Sequence, residues 1–252
     1  MDTAIGYAMC AGPDPKDPMS MEQPPVHLQD FHHLDLSGVT LGVYPAWFED
    51  AAPEVVAACR ETLGVLESAG ATVREVVVFG LEEIRVAHAV TILSEMAAAM
   101  EPHYGTHRGD FGHATRLNLA LGRQFTSLDY VRAQRVRTRA LREWKRVFSQ
   151  VDAVVTPATA CPSPRLDPGT VGLGESDLGL LTQLMRFVVP ANLCGLPAIS
   201  FPAGYAGSGI PVGMQVIGPH WQEHLLLRLA HVAERKLERR EPAMHFGVLG
   251  SS

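Results

Sequence analysis

The stretch VTLGVYPAWFEDAAPEVVAACRETLGVLESAGATVREVVVF, residues 39–79, decides the fold class of this chain. Val39 to Tyr44 is a short run of strand-forming residues, and Ala71 to Phe79 is a second one. Between them, Ala52 to Gly70 carries apolar residues at helical spacing, with Pro53 near its start and a closing glycine. A strand, a helix and a strand in succession form a β-α-β unit, whose helix covers the sheet. We therefore predict an α/β fold.

The remaining sequence alternates helical and strand patterns without a linker. Three helices are predicted first, over Leu81–Met100, up to about Leu121, and from Thr126–Ser127 to about Gln150, with a loop containing Gly and His at 103–113. VDAVVTP (151–157) predicts a buried strand, and a helix broken near Pro190 follows. PAISFPAG and PVGMQVIG predict two strands joined by a turn, and EHLLLRLAHVAERKLER predicts a closing helix. We find no repeat or low-complexity tract, so we predict a single domain over 1–252.

Composition and charge exclude several classes of protein. The chain has 252 residues, 46% of them hydrophobic, and a formal net charge of −6, which gives no overall attraction to nucleic acid or anionic membranes. The four cysteines are widely spaced, without a zinc pattern, and are expected to be reduced thiols. The first residues do not resemble a signal peptide, and no apolar run of about eighteen residues occurs. We expect a cytoplasmic protein without a membrane span.

The third predicted helix carries two polar residues on its core-facing side. Six residues follow one another at spacings of three or four and share one face: Tyr130, Gln134, Arg137, Leu141, Trp144 and Phe148. Desolvating an unpaired charge is costly, so a buried arginine needs a carboxylate, a ligand or several carbonyls, and Arg137 is either in an internal salt bridge or directed at a substrate. The remaining cations form a basic outer face, which is either solvated or in contact with phosphates. Both alternatives stay open at this point.

The sequence contains no complete catalytic or metal signature. The G-x-S-x-G and S-x-x-K patterns are absent, and the three lysines are Lys16, Lys145 and Lys236. Ser200 lies in a predicted strand with no neighbouring base, which favours a structural role. The histidines at 103, 107 and 113 are interrupted by glycines, so we predict no metal site. No catalytic residue can be assigned from these patterns.

The carboxyl half resembles the amidase signature family, which includes bacterial amidases, fatty acid amide hydrolases and the A subunit of the tRNA-dependent amidotransferase. The resemblance lies in a D-x-hydrophobic-hydrophobic-x-T-P strand at Asp152–Pro157, an N-L-x-G-L-P segment at Asn192–Gly204, and G-x-P-x-G-x-Q at Gly209–Gly218. Upstream, AGPDPKDPMS (Ala11–Ser20) resembles the family's G-x-D-x-x-D segment. This upstream resemblance implies that Lys16 is a surface loop residue and not the catalytic lysine.

The resemblance implies an αβα layered fold around a mixed sheet, of which this chain would supply the carboxyl-terminal part. The family's Ser-Ser-Lys triad and its Gly/Ser-rich signature precede the segment at Ala11, so the catalytic segment is expected to be missing and no residue here is assigned to catalysis. Arg137, together with Gln134, is the expected substrate-binding pair, because an arginine in the segment like AQRVRT contacts the substrate carboxylate in amidotransferase relatives. Asn192, bonded to backbone groups, and Gly195 and Pro197 are expected to shape the site.

Three hypotheses follow for function. The first is the carboxyl-terminal part of an amide hydrolase, inactive alone, which acts on a small-molecule amide once the missing half is supplied. The second is a non-catalytic protein of the same ancestry that binds a small molecule or a partner. The third, nucleic-acid binding through the basic helix, is disfavoured by the acidic net charge. None of them needs a cofactor or metal, and a homo-oligomer remains open.

Overall fold

A mixed five-stranded sheet forms the centre of the part of the chain that the structure describes. The structure is a computed structural model and describes residues 1–17, 19–28, 30–164, 177–207, 209–238 and 240. The strands are β1 (Thr40–Val43), β2 (Thr72–Glu75), β3 (Ala153–Pro157), β4 (Ala198–Tyr205) and β5 (Pro211–Ile217). Their order is β2-β1-β3-β5-β4, with β1 parallel to β2 and β3, and β5 antiparallel to β3 and β4.

The opening β-α-β unit forms as the sequence predicts, with a shorter second strand. Helix α3 (Pro53–Ser68) begins with its proline in the first turn, where no backbone donor is lost. β2 ends at Glu75, whereas the sequence predicts a strand to Phe79. The difference arises because its neighbour β1 ends at Val43 and the chain turns into the short helix α2 (Pro45–Phe48), which leaves no ladder for β2 to extend.

Helices cover both faces of the sheet, which confirms the αβα layered prediction. Along β3, Ala153 and Val155 pack into one core with α3 and the closing helix α9 (Glu223–Lys236). Val154 points to the opposite core, beneath α4 (Leu81–His107) and α6 (Ser127–Phe148), as the period of two in a strand requires. The sequence did not predict α1 (Asp2–Cys10). No helix within the described ranges has both the length and the apolar composition needed to cross a membrane.

The second helical layer differs from the prediction at the end of its longest member. α4 spans Leu81–His107, α5 spans His113–Gly122 and α6 spans Ser127–Phe148. The sequence predicts a loop from residue 103, yet α4 continues through Pro102 to His107. Arg123, just after α5, pairs with Glu101 and lies over the ring of Tyr104 at 3.8 Å, so contacts with α5 hold this last part of the helix.

A sharp turn joins the helical layer to β4. The predicted break near Pro190 separates α7 (Leu178–Met185) from α8 (Val189–Cys194), and Pro190 lies in the first turn of α8. Gly195 follows the last residue of α8, and its φ of 66° is a left-handed conformation that favours glycine. Buried Gln215 on β5 donates hydrogen bonds to the Thr156 hydroxyl at 3.1 Å and to the Phe187 carbonyl at 2.9 Å. This amide therefore ties the sheet to the segment that leads into α8.

Candidate functional site

Polar side chains from α4 and α6 meet along the contact between these two helices. The Tyr130 hydroxyl donates a hydrogen bond to the Glu95 carboxylate at 2.8 Å, and one turn later the Gln134 amide donates to the Thr91 hydroxyl at 3.0 Å. The Thr126 capping box fixes the start of α6 and so the level of these residues. Thr91 is buried and Gln134 is half-buried, so this hydrogen bond is largely shielded from water.

Arg137 lies one turn further along α6 and has no partner for its buried nitrogen. It is half-buried, its Nε is inaccessible to solvent and makes no hydrogen bond, and no ion pair to it occurs among the described residues. The internal salt bridge, one of the two alternatives from the sequence, is therefore not found there. The hydrogen bonds from Tyr130 to Glu95 and from Gln134 to Thr91 show that α4 and α6 run antiparallel. One turn further along, this register brings buried His88 of α4 to the level of Arg137.

Helix α8 closes the third side of this cluster. It packs against both α4 and α6, and the Arg137 charge acts on the thiol of its last residue, Cys194. Ser94, on α4, has a buried hydroxyl oxygen without a hydrogen-bond partner. We call these six residues the polar cluster: Thr91, Ser94, Glu95, Tyr130, Gln134 and Arg137. Two of its donors, the Ser94 hydroxyl and the Arg137 Nε, are buried and have no hydrogen-bond partner among the described residues.

Burial and charge shift the titration of groups in and around the polar cluster. The hydrogen bond to Glu95 and partial burial raise the pKa of Tyr130, while the Arg137 charge acts in the opposite direction. Burial raises the pKa of the Cys194 thiol to about 11, although the nearby Arg137 charge favours the thiolate. Burial lowers the pKa of His88. Tyr130, Cys194 and His88 are therefore uncharged at neutral pH.

Asn192, Gly195 and Pro197 line a separate cavity of about 370 Å³ at the turn between α8 and β4, together with His220 and Trp221. The sequence predicts that Asn192 bonds backbone groups. Instead its side chain is exposed on α8 and makes no hydrogen bond to any other described residue, because the helix already satisfies the neighbouring backbone. The Pro197 carbonyl accepts a hydrogen bond from Gly218 at 2.9 Å and so fixes the turn.

Ser200, His231 and Glu234 line one small cavity of about 120 Å³, but no hydrogen bond joins this serine to a base within the described part of the chain. All three lysines are exposed, as is Ser200 on β4. His103 and His107 lie one turn apart on α4, with ring centroids 6.4 Å apart, whereas the sequence predicts that no helix aligns them. Among the residues described, no group of three His, Cys, Asp or Glu side chains is arranged to hold a metal ion.

Comparison with known proteins identifies the family. The family model described as Amidase matches residues 1–227. The chain belongs to the amidase family. A fatty acid amide hydrolase of Medicago truncatula is 38% identical over 260 residues, which cover 100% of this chain and 43% of that protein. A glutamyl-tRNA(Gln) amidotransferase subunit of Halothermothrix orenii (strain H 168 / OCM 544 / DSM 9562) is 27% identical, over 94% of this chain and 54% of its own length.

Solved structures show the same fold. A 6-aminohexanoate cyclic dimer hydrolase superposes with a TM-score of 0.78 at 21% identity, over 96% of this chain and 54% of the other. An aryl acylamidase of bacterial origin superposes with a TM-score of 0.74, over 93% of this chain and 50% of the other. The amidase signature resemblance and the layered fold are thus confirmed, and the chain spans about half the length of the relatives it matches.

The α4 half of the polar cluster was not predicted from the sequence. Thr91 and Glu95 are four residues apart in a predicted helix and Ser94 lies between them, so their common face could have been read from the spacing. What the sequence does not supply is the level at which α4 meets α6, because that contact joins residues 35 and 43 positions apart.

Proposed function

We propose that this chain is the carboxyl-terminal part of an amide hydrolase that cleaves the C–N bond of a small-molecule amide. In this proposal the polar cluster binds the polar end of the substrate, and a second polypeptide part supplies the Ser-Ser-Lys triad. Membership of the amidase family supports the reaction class. The observation that carries the role of this chain is the unpartnered Arg137 beside a satisfied Gln134.

The donors of the polar cluster suit an amide or carboxylate oxygen. Gln134 is held by Thr91, so its carbonyl keeps a fixed orientation, and the Arg137 charge acts on the buried, neutral Cys194 thiol. A buried donor without a partner costs free energy in the empty protein, and a ligand oxygen removes that cost. Arg137 and Gln134 are therefore our proposed substrate-binding residues.

The environment of the lysines supports a base from outside this chain. A lysine acts as a general base only when burial or neighbouring charge lowers its pKa. Lys16, Lys145 and Lys236 are all exposed to solvent. We propose that the base comes from the part of the relatives that this chain does not span. The chain alone should then not hydrolyse amides.

The relatives favour a substrate class. Four fatty acid amide hydrolases from three plant species, 32–38% identical, align over 97% of this chain or more, so we propose a long-chain fatty acid amide as the first substrate to test. Asn192, Gly195 and Pro197 line the turn cavity rather than the polar cluster, and we propose that they shape the junction with the catalytic part.

The test is reconstitution. The chain is co-expressed with the portion of the Medicago truncatula enzyme that it does not span, and fatty acid release from a long-chain primary amide is measured. We expect hydrolysis only when both parts are present. Arg137→Met should raise KM more than it lowers kcat, whereas Arg139→Met, on the exposed outer side of α6, should leave both unchanged.

Two outcomes contradict the proposal. Hydrolysis by this chain alone would show that it contains its own nucleophile and base. Association of the two parts without hydrolysis, combined with ligand binding that depends on Arg137, would instead favour the alternative of a non-catalytic binding protein of amidase ancestry.

A further inference from the structure

The outer side of α6 concentrates positive charge, although the chain as a whole is acidic. Helix α6 contains seven basic residues, at 132, 135, 137, 139, 142, 145 and 146, in a chain with 21 Lys and Arg against 27 Asp and Glu. We call Arg135, Arg139 and Arg142 the arginine triplet; all three are exposed. Each helical residue advances by about 100°, so the triplet lies within about 60° of the helix surface, away from the stripe that contains Gln134 and Arg137.

The two carboxylates of α6 do not neutralise the arginine triplet. Asp129 accepts hydrogen bonds from Thr126 in the capping box, and Glu143 is held by Arg146 and by the backbone N–H of Phe79. Among the described residues, no ion pair and no side-chain hydrogen bond involves a guanidinium of the triplet. Like charges three and four residues apart on a helix repel each other, and an external anion would remove that repulsion.

The helix dipole does not account for the triplet either. Cations are favoured in the last turn of a helix, where α6 carries Lys145 and Arg146. This effect falls off within one turn, so it gives little support to Arg135 and Arg139 in the middle of the helix. Their charge is therefore available to a ligand from outside the chain.

The triplet lines a concavity of the size of a small-molecule site. With Arg132, Val136 and Thr138, it surrounds a volume of about 490 Å³. Small-molecule sites typically measure about 300–1,000 Å³. The Thr138 hydroxyl donates to the Gln134 carbonyl at 3.1 Å, so the guanidinium groups are the free donors of this concavity. Their planar forks suit phosphate oxygens, which they bind through two parallel hydrogen bonds.

We propose that the arginine triplet binds a small oligophosphate, a ligand with two or three linked phosphate groups. Arg135 and Arg142 are about 10 Å apart along the helix axis, at a rise of about 1.5 Å per residue. A short chain of phosphates brings several negative charges to three guanidinium groups over this distance, whereas one phosphate engages fewer of them. A nucleic acid also offers phosphates, but its backbone would continue beyond the triplet along a chain of net charge −6. The charge distribution therefore favours a compact ligand.

This site does not depend on the proposed hydrolase function. Arg137 and Gln134 lie on a different side of α6, and oligophosphate binding is measured on this chain alone without any hydrolysis. Either proposal can therefore fail without the other.

The experiment is isothermal titration calorimetry of the full chain with sodium tripolyphosphate in a metal-free buffer. We expect one site, an affinity for inorganic phosphate lower by about tenfold or more, and weaker binding as salt is added. Arg135→Gln/Arg142→Gln should weaken tripolyphosphate binding about tenfold or more, because two charge-assisted contacts are lost. Arg74→Gln/Arg235→Gln is the matched control, since it removes the same charge at two other exposed arginines and should leave the affinity nearly unchanged.

Four results overturn the proposal, once circular dichroism has shown that both double variants are folded. The first is the absence of tripolyphosphate binding. The second is an equal loss of affinity in both double variants, which would show attraction to the overall charge only. The third is inorganic phosphate that binds as tightly as tripolyphosphate. The fourth is binding through the triplet to phosphoinositide vesicles or to a duplex oligonucleotide but not to tripolyphosphate, which would assign the phosphate to a membrane or a nucleic acid instead.

Discussion

Replacing Arg137 by methionine should stabilise the chain. Its Nε is buried and has no hydrogen-bond partner, and a buried polar group left unpaired costs roughly 1–3 kcal/mol. Since Arg137 is half-buried, the lower end of that range applies, and the methionine retains the packing of the aliphatic stem. We expect Arg137→Met to raise the free energy of unfolding by about 1 kcal/mol, which corresponds to roughly 2–4 °C in Tm for a chain of this size.

Arg186 is the matched control, because it is another half-buried arginine but has its partners. It donates hydrogen bonds to the backbone carbonyl and the carboxylate of Asp50, each at 2.6 Å. Arg186→Met should therefore lower the free energy of unfolding by about 1 kcal/mol, allowing for the solvent exposure of this pair. Urea unfolding followed by circular dichroism compares the variants. If Arg137→Met destabilises the chain as much as Arg186→Met does, Arg137 has a structural role and the reasoning is refuted.

Three further predictions test the packing around the site. Gly122→Ala should cost about 1–3 kcal/mol in urea unfolding, because the added Cβ would overlap the Leu93 backbone oxygen of α4. At Gly105 an added Cβ meets no atom within 4 Å, so Gly105→Ala should gain up to about 1 kcal/mol of helix propensity, and equal effects of the two substitutions would argue against this packing. Gln215→Leu should cost about 1–3 kcal/mol by leaving a buried carbonyl unpaired, and a change under about 0.5 kcal/mol would show that the amide is dispensable. Iodoacetamide at pH 8 should label exposed Cys10 in the native chain and Cys194 only after unfolding, and native labelling of Cys194 would contradict its burial.

The Cys194 shift also sets a pH dependence of stability. Its pKa is raised in the folded chain from about 9 to about 11, so the folded chain holds the thiol proton more tightly than the unfolded chain does. This contribution is fully present below pH 9 and is lost as the pH rises through 11. Cys194→Ala should flatten the decline in Tm over that interval, and an unchanged decline would mean that another group controls it.

The sequence predicts the layered fold because the local strand and helix patterns agree with the way the strands pair in the sheet. Strand-forming runs at Val39–Tyr44 and at 151–157 alternate with amphipathic helices, and each strand has a buried partner within the sheet. The end of α4 was misplaced because glycines at 105 and 109 favour a loop in isolation, while Arg123 holds the helix from a distance. Tertiary contacts of this kind have no local signature.

The candidate site was half predictable for a similar reason. Periodicity alone put Gln134 and Arg137 on one face of α6, and the structure brings Gln134 to Thr91 of α4. Their partners on α4 depend on the level at which two helices cross, which single-helix patterns do not contain. Asn192 was expected to bond backbone groups, but the proline at 190 starts a short helix that turns its side chain to solvent.

Reconstituted hydrolysis tests the central claim most directly. Fatty acid release from a long-chain primary amide is measured for this chain alone, for the portion of the Medicago truncatula enzyme that it does not span, and for the two together. We predict turnover only for the combination, with a raised KM when Arg137 is replaced by methionine. Turnover by this chain alone, or full activity of the combination with a KM unaffected by Arg137→Met, would contradict that claim.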